Sequence, residues 1–151
     1  MRVELEKIID NLETVFRGDA WHGPSILELL QSMPNDITSR KFPYSKHSIA
    51  ELVFHLTAWR KFVIKKIEGD IHYDLVNEED NYGTEDVLQD WKILIENLKL
   101  AQSELVEKLE SCDDELLAKM VPGQYYDFHK LLTGLIQHDT YHLGMIWVLW
   151  E

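Results

Sequence analysis

Cysteine is almost absent from this sequence, since Cys112 is the only one among 151 residues. A single cysteine excludes an intrachain disulfide, and it also excludes a metal site built from several thiolates. Any metal that the chain binds must therefore be held by histidine, aspartate or glutamate side chains.

Long apolar runs are also absent. No run of about eighteen or more uncharged apolar residues occurs, so no membrane-spanning helix is predicted. The first six residues, MRVELE, alternate acidic and aliphatic side chains instead of forming a basic and then apolar leader. We therefore expect a soluble, cytoplasmic protein that has no membrane partner.

Basic residues are few compared with acidic ones. The chain has 15 Lys and Arg against 27 Asp and Glu, which gives a formal net charge of -12. Such a charge repels the phosphate backbone of nucleic acids, so we do not expect a nucleic-acid partner.

What the sequence does contain is apolar and aromatic material, at 45% hydrophobic residues with five Trp, six Tyr and five Phe. This is enough for one sizeable core, and 151 residues is the usual size of one domain. No repeat of 20 to 50 residues occurs, which argues against a solenoid. We therefore expect a single domain over residues 1–151.

Apolar residues at three- and four-residue steps predict helices in the first half of the chain. The first covers residues 3–16, and a short extra helix is expected to begin at Pro24, since proline is tolerated at the first helical position. The second long helix should begin at Ser48, which forms a capping-box pattern with Glu51, and end near Gly69.

Two more long helices are predicted in the second half. Residues 78–80 should form a solvated acidic loop, and Thr84 should cap a third helix. The fourth helix should be capped by Asp127 and run to the C-terminus. The third helix has a near-heptad stripe: Val87, Trp91, Ile95, Leu98, Gln102, Leu105 and Leu109. Together these patterns predict an all-α, four-helix up-and-down bundle with an extra short helix after the first helix.

Two histidines in the predicted fourth helix are candidate metal ligands. His138 and His142 are four residues apart, so their side chains lie about 40° apart around the helix and roughly 6 Å apart along it. They share a stripe with Leu135, Met145 and Leu149, where a buried imidazole needs a compensating partner. That partner is either a shared metal ion or, for ordinary core or interface histidines, the backbone.

The string from His138 to His142 is similar to the zincin pattern H-E-x-x-H, with Asp139 in place of the glutamate base. The match is weak, because aspartate is shorter and a chain of this size lacks room for a protease architecture. Asp139 also points about 100° away from His138, so we expect a solvated or capping-type carboxylate instead of a base. Tyr141 and Trp59 are expected to be core rings.

Three segments carry a resemblance to a known family: AWHGPS at residues 20–25, HSI at 47–49 leading through His55, and GLIQHDTYHLG at 134–144. With these segments the chain resembles the DinB-like, or damage-inducible-type, four-helix-bundle proteins, relatives of bacillithiol- and mycothiol-dependent transferases. The resemblance implies that His55, His138 and His142 bind a divalent metal. One departure is Met145-Ile146, where such proteins commonly continue Gly-Gln-Ile after the second histidine of the pair.

The resemblance and the ligand set lead to a functional hypothesis. Three histidines suit zinc or nickel, and they also tolerate iron, manganese or copper, with an open position for water or a low-molecular-weight thiol. We therefore expect a metal-dependent hydrolase or thiol S-transferase acting on a small molecule. The alternative is a non-catalytic metal-binding module for stress response or interaction. The apolar fourth helix and the family both suggest a homodimer. The residues expected to line the pocket are Trp21, His22, Trp59 and Met145.

Overall fold

The computed structural model describes residues 2–150, and all the regular secondary structure in that range is helical. The helices are α1 (Val3–Arg17), α2 (Ile26–Gln31), α3 (Asn35–Thr38), α4 (Ile49–Ile67), α5 (Glu78–Tyr82), α6 (Glu85–Leu88), α7 (Trp91–Glu110), α8 (Glu115–Ala118) and α9 (Phe128–Trp150). None of these helices combines the length and the hydrophobicity needed to cross a membrane. The prediction of an all-α bundle is confirmed.

The four long helices pack so that α4 lies beside α9. Helix α4 contacts both α7 and α9, and α1 contacts the same two helices. The expected extra helix after α1 is present as α2, which packs against α1 and α9. Because α4 and α9 are direct neighbours, side chains of the predicted second and fourth helices meet inside the bundle.

The bundle interior contains two apolar clusters separated by a polar layer. One cluster surrounds Phe16, Leu56 and Leu98. The other surrounds Val63 and Leu105. At the intervening positions of α4, α7 and α9 lie three fully buried polar side chains, Arg60, Gln102 and Asp139. Each of the three therefore needs hydrogen-bond partners inside the protein.

Side chains cap most of the long helices. The capping box of Ser48 and Glu51 is present at the start of α4, and Asp127 accepts a hydrogen bond of 2.9 Å from the Lys130 amide, as predicted. Helix α1 is capped from a distant segment, because Asp114 accepts bonds of 3.1 and 2.8 Å from the Glu4 and Leu5 amides. Asp114 thus links the start of α1 to the segment that follows α7.

The predicted start of the short helix was wrong by two residues. Pro24 lies before the N-cap, and Ser25 caps α2 by forming a capping box with Glu28. The prediction of a solvated loop at residues 78–80 was also wrong. These residues form the first turn of α5, because the Asn77 side chain accepts a bond from the Asp80 amide and the Asp80 carboxylate reaches back to the Asn77 amide.

The predicted start of the third helix was wrong as well. The Thr84 side chain makes no cap hydrogen bond, and the helix after it, α6, ends at Leu88. Asp90 caps α7 instead, by accepting a 3.2 Å bond from the Ile93 amide. Val87 therefore lies outside the long helix and is 40% exposed, so it is not part of the buried stripe.

The C-terminal half of α9 is apolar on its outer surface as well as its inner one. Trp147 and Val148 are exposed, and so is Tyr141, at 68%. The expectation that Tyr141 is a core ring was therefore wrong. The inner surface of the same half is formed by Leu143, Ile146 and Leu149, which are buried.

Candidate metal centre

Three histidine rings meet between α4 and α9. One ring nitrogen from each of His55, His138 and His142 lies within 4.8 Å of the other two. The Nε2 atoms of His55 and His138 are 3.0 Å apart. His55 and His142 are buried, and His138 is half-buried. The structure thus brings together the three side chains that the sequence proposed as ligands.

The orientation of His55 is set by α5. The Asn81 carbonyl lies 3.2 Å from His55 Nδ1. A carbonyl only accepts, so Nδ1 must carry the proton and donate it, which leaves the Nε2 lone pair free for a metal. The Tyr82 ring stacks on the His55 ring at 4.5 Å and 6°. Both contacts hold the ring with Nε2 directed at the other two histidines.

Burial keeps the three imidazoles neutral. It lowers the pKa of His55 to about 4, with the neighbouring His142 adding to the shift. It lowers the pKa of His138 to about 3, with His142, His55 and Arg60 acting in the same direction. Burial also lowers the pKa of His142, with a further contribution from His47. At neutral pH all three rings are in the unprotonated form that binds metals.

The protein alone does not satisfy all the nitrogens of this cluster. Within residues 2–150, the buried Nδ1 atoms of His138 and His142 have no hydrogen-bond partner. Burying polar groups in this way costs free energy unless something offsets it. A cation held by the converging nitrogens would offset the cost of burying the cluster as a whole, although His138 faces His55 through Nε2, so its Nδ1 would stay without a partner.

The separation of the nitrogens fits a shared ion. Two nitrogens bound to one tetrahedral zinc at 2.0–2.1 Å lie about 3.3 Å apart. The Nε2 atoms of His55 and His138 are close to that separation, at 3.0 Å. The donor set and the neutral state suit one divalent ion, and so does the separation between His55 and His138.

A comparison with family models decides the family. The model described as the DinB superfamily matches residues 21–146. The chain belongs to the DinB superfamily. A comparison with curated proteins found no match.

A buried ion pair lies directly beside the three histidines of this chain. Asp139 accepts bonds of 2.9 and 2.6 Å from the two terminal nitrogens of Arg60. Arg60 also donates to Gln102 at 2.8 Å, and Gln102 donates to Glu13 at 2.8 Å. Burial raises the pKa of Asp139, and Arg60 opposes that shift. The expectation that Asp139 is a solvated carboxylate was wrong, because it faces α4 instead of water.

A cavity of about 480 Å³ lies against the three histidines. Its walls are mainly apolar and are formed by Trp59, Val63, Leu131 and Leu135 together with the rings of Tyr126 and Tyr141. Asn81, Lys130 and Gly134 complete it. A volume of this size is typical of a site for a small organic molecule.

Of the four residues that were predicted to line the pocket, one lines the histidine cavity and three lie elsewhere. Trp59 lies in the wall of the cavity beside the histidines. Trp21 is fully exposed, and His22 faces a different depression, next to Trp147. Met145 faces a third one, next to Tyr44. Trp21, His22 and Met145 are thus outside the histidine cavity. His22, in the non-helical segment before α2, lies over the outer surface of α9 instead.

Sequence reasoning missed the residues that support the ligands. Asn81 and Tyr82 directly follow residues 78–80, which were interpreted as a loop, and Asn81 also accepts a 3.2 Å bond from the Trp59 indole. The burial of Arg60 could have been predicted from the sequence, since this charged residue interrupts the buried stripe between Leu56 and Val63. A charge at such a position requires a buried partner of opposite sign.

Proposed function

We propose that this protein is a metal-dependent enzyme that hydrolyses a small molecule or transfers a low-molecular-weight thiol to it. The observation that supports the proposal most strongly is the convergence of three neutral histidines at the wall of an apolar cavity. The residues that would hold the ion are His55, His138 and His142. Zinc and nickel suit this ligand set best, and iron and manganese are also compatible with it.

His55, His138 and His142 would hold the ion and would leave at least one coordination position open, as in catalytic metal sites rather than structural ones. An ion bound there supplies Lewis acidity, which makes a water molecule or a thiol more acidic. The protein contributes orientation, because the Asn81 carbonyl holds the proton of His55 on Nδ1. Trp59, Leu131 and Leu135 give the site an apolar surface on the side where a substrate would bind.

The proposal is tested by a turnover screen on protein purified without an affinity tag and loaded with Zn²⁺ or Ni²⁺. Ester, amide and alkyl halide substrates are offered with and without a low-molecular-weight thiol. We expect turnover of at least one class, its loss on chelation, and its recovery when the metal is added back. His138→Ala should abolish turnover.

The matched control is His129→Ala, which removes an exposed histidine from the same helix. It should leave turnover unchanged. Turnover that survives chelation, or that His138→Ala leaves intact, would contradict the proposal. Metal binding without turnover of any substrate class would favour the alternative, a non-catalytic metal-binding module.

A further inference from the structure

The residues that line the histidine cavity indicate the kind of molecule that would bind in it. Trp59 is half-buried, and Val63, Leu131 and Leu135 are buried, so most of the surface next to the histidines is hydrocarbon. A polar ligand would lose its hydration there without gaining hydrogen bonds in return. The wall therefore favours a ligand with an apolar body, aromatic or alkyl.

The charge on the wall has one sign only. Lys130 lines the cavity, and no aspartate or glutamate is among the described lining residues, although the chain contains 27 acids. The Lys130 ammonium forms no ion pair within residues 2–150. A charge at such a site stays available to a group of opposite sign on a ligand.

The amide of Asn81 does not compete for that role. Its oxygen accepts from the Trp59 indole at 3.2 Å, and its nitrogen donates to the carbonyls of Asn77 at 3.2 Å and Leu75 at 3.5 Å. Apart from the three histidines, the polar groups of this wall that remain free for an anion are therefore the Lys130 ammonium and the hydroxyls of Tyr126 and Tyr141.

Gly134 determines how much room the ligand has. It lies in the interior of α9 and lines the cavity, and a Cβ built on it would meet no other heavy atom within 4 Å. Glycine destabilises a helix interior relative to alanine, and here close packing does not require it. Its effect is to keep the floor of the cavity open.

We infer that the cavity binds an organic anion whose apolar body lies over Gly134 and whose negative group pairs with Lys130. That this anion is a substrate, bound next to a metal ion, rests on the proposed function. The binding of such a molecule depends on Gly134 and Lys130, which are not metal ligands, so it is measurable with and without metal.

The test is a calorimetric titration with 4-phenylbutyrate and with its neutral analogue 4-phenyl-1-butanol, on metal-free and on Zn²⁺-loaded protein. We expect the metal-free protein to bind the anion more tightly than the alcohol by roughly threefold to fivefold, the range of a partly exposed ion pair. Lys130→Met should remove that preference. Lys92→Met, which neutralises an exposed lysine on α7, should keep it.

Gly134→Phe should fill the cavity floor and weaken the binding of both probes by about tenfold or more, as expected when a ligand loses its apolar wall. The matched control is His129→Phe, which places the same ring at an exposed position of α9 outside this cavity and should leave the binding of both probes unchanged. Gly134→Leu, a smaller plug, is tested in parallel, and circular dichroism verifies that each variant is folded.

The outcomes separate this inference from the proposed function. Equal affinity for acid and alcohol, or binding that Gly134→Phe and Gly134→Leu leave unchanged, would overturn the inference even if the protein binds metal and turns over a substrate. Probe binding that depends on Lys130 and Gly134 in a protein that binds no metal would support the inference and refute the proposed function.

Discussion

Arg60 and Asp139 join α4 to α9 one residue away from His138. Both side chains are fully buried, and the two bonds between them are 2.9 and 2.6 Å long. A bidentate contact of this kind constrains the distance and the rotation of the two helices relative to each other. The ion pair therefore positions the α9 histidines opposite His55.

The first prediction concerns Asp139→Asn. The substitution leaves the Arg60 charge buried without a counter-ion, and breaking such a pair costs about 3–5 kcal/mol. Urea unfolding of the metal-free protein should show a loss of this size in the free energy of unfolding. The paired variant Arg60→Met with Asp139→Leu should be destabilised less than Asp139→Asn, because it leaves no charge behind. A change below about 1 kcal/mol for Asp139→Asn would contradict this account.

The sequence predicted the three ligands but not this pair. His138 and His142 share one helical stripe, which is visible in one dimension. The pairing of Arg60 with Asp139 joins residues 79 positions apart, and periodicity carries no information on such a contact. Asp139 was interpreted as solvated because it points away from His138, whereas α9 is buried on that side too.

At the scale of the elements, α5 is a short helix whose main contribution is to orient a residue of the histidine cluster. Its Asn81 carbonyl orients His55, and its Tyr82 ring stacks on the same imidazole. None of its residues is buried. Its geometry therefore depends strongly on the Asn77 cap, which accepts a 2.8 Å bond from the Asp80 amide.

The second prediction is that Asn77→Ala weakens Zn²⁺ binding by up to about tenfold, the lower range for loss of a group that orients a metal ligand. The reason is that a frayed α5 no longer holds the Asn81 carbonyl in place. Competition with a fluorescent chelator measures the affinity. Asp90→Ala, which removes the corresponding cap from α7, should leave the affinity unchanged. Equal losses in the two variants would contradict the role of α5.

The third prediction concerns pH and the start of α4. Burial alone would raise the pKa of Glu51, but bonds from Lys41, the Ser48 amide and the His47 ring hold it below its ordinary value of 4.5. Because the folded-state pKa is depressed, the ionised carboxylate stabilises the fold above pH 4.5. That stabilisation is lost as pH falls through the lower folded-state value.

Glu51→Gln tests this expectation, because glutamine keeps the capping-box geometry and removes the charge. Unfolding by urea between pH 3 and 6 should show the wild-type protein losing more stability on acidification than the variant does. Parallel pH profiles for the two proteins would contradict the assignment.

How well each element was predicted depended on its length. The long helices α1, α4 and α9 have several turns of apolar periodicity, and their ends carry cap residues such as Ser48 and Asp127. Helices α3, α5, α6 and α8 have four or five residues each, too few for a period to be visible. The contact of Asn81 with His55 was not predicted for the same reason, since Asn81 lies in one of these short helices.

At the scale of the whole molecule, the distribution of charge suggests how copies of the chain associate. The chain has a net charge of -12, yet the exposed outer side chains Thr140, Tyr141, Trp147 and Val148 of α9 are uncharged. Gly144 lies among them and allows a partner to approach closely. An apolar, uncharged face on a strongly acidic protein is suited to packing against a second copy of itself.

The fourth prediction is therefore a homodimer. Sedimentation at micromolar concentration should show a dimer for the wild-type protein and a monomer for Val148→Glu, which places like charges across the interface. The control is Leu100→Glu, at a 66% exposed leucine on α7 that lies outside this face. It should remain dimeric. A wild-type monomer at that concentration would refute the prediction.

The central claim is that three imidazoles from two helices bind one ion. The most direct test is a calorimetric Zn²⁺ titration of untagged, chelator-stripped protein, with His55→Ala, His142→Ala and His129→Ala measured alongside. The account predicts one ion per chain for the wild-type protein and for His129→Ala, and a large loss of affinity for the other two variants. Absence of saturable binding, or binding that His55→Ala leaves intact, would contradict it.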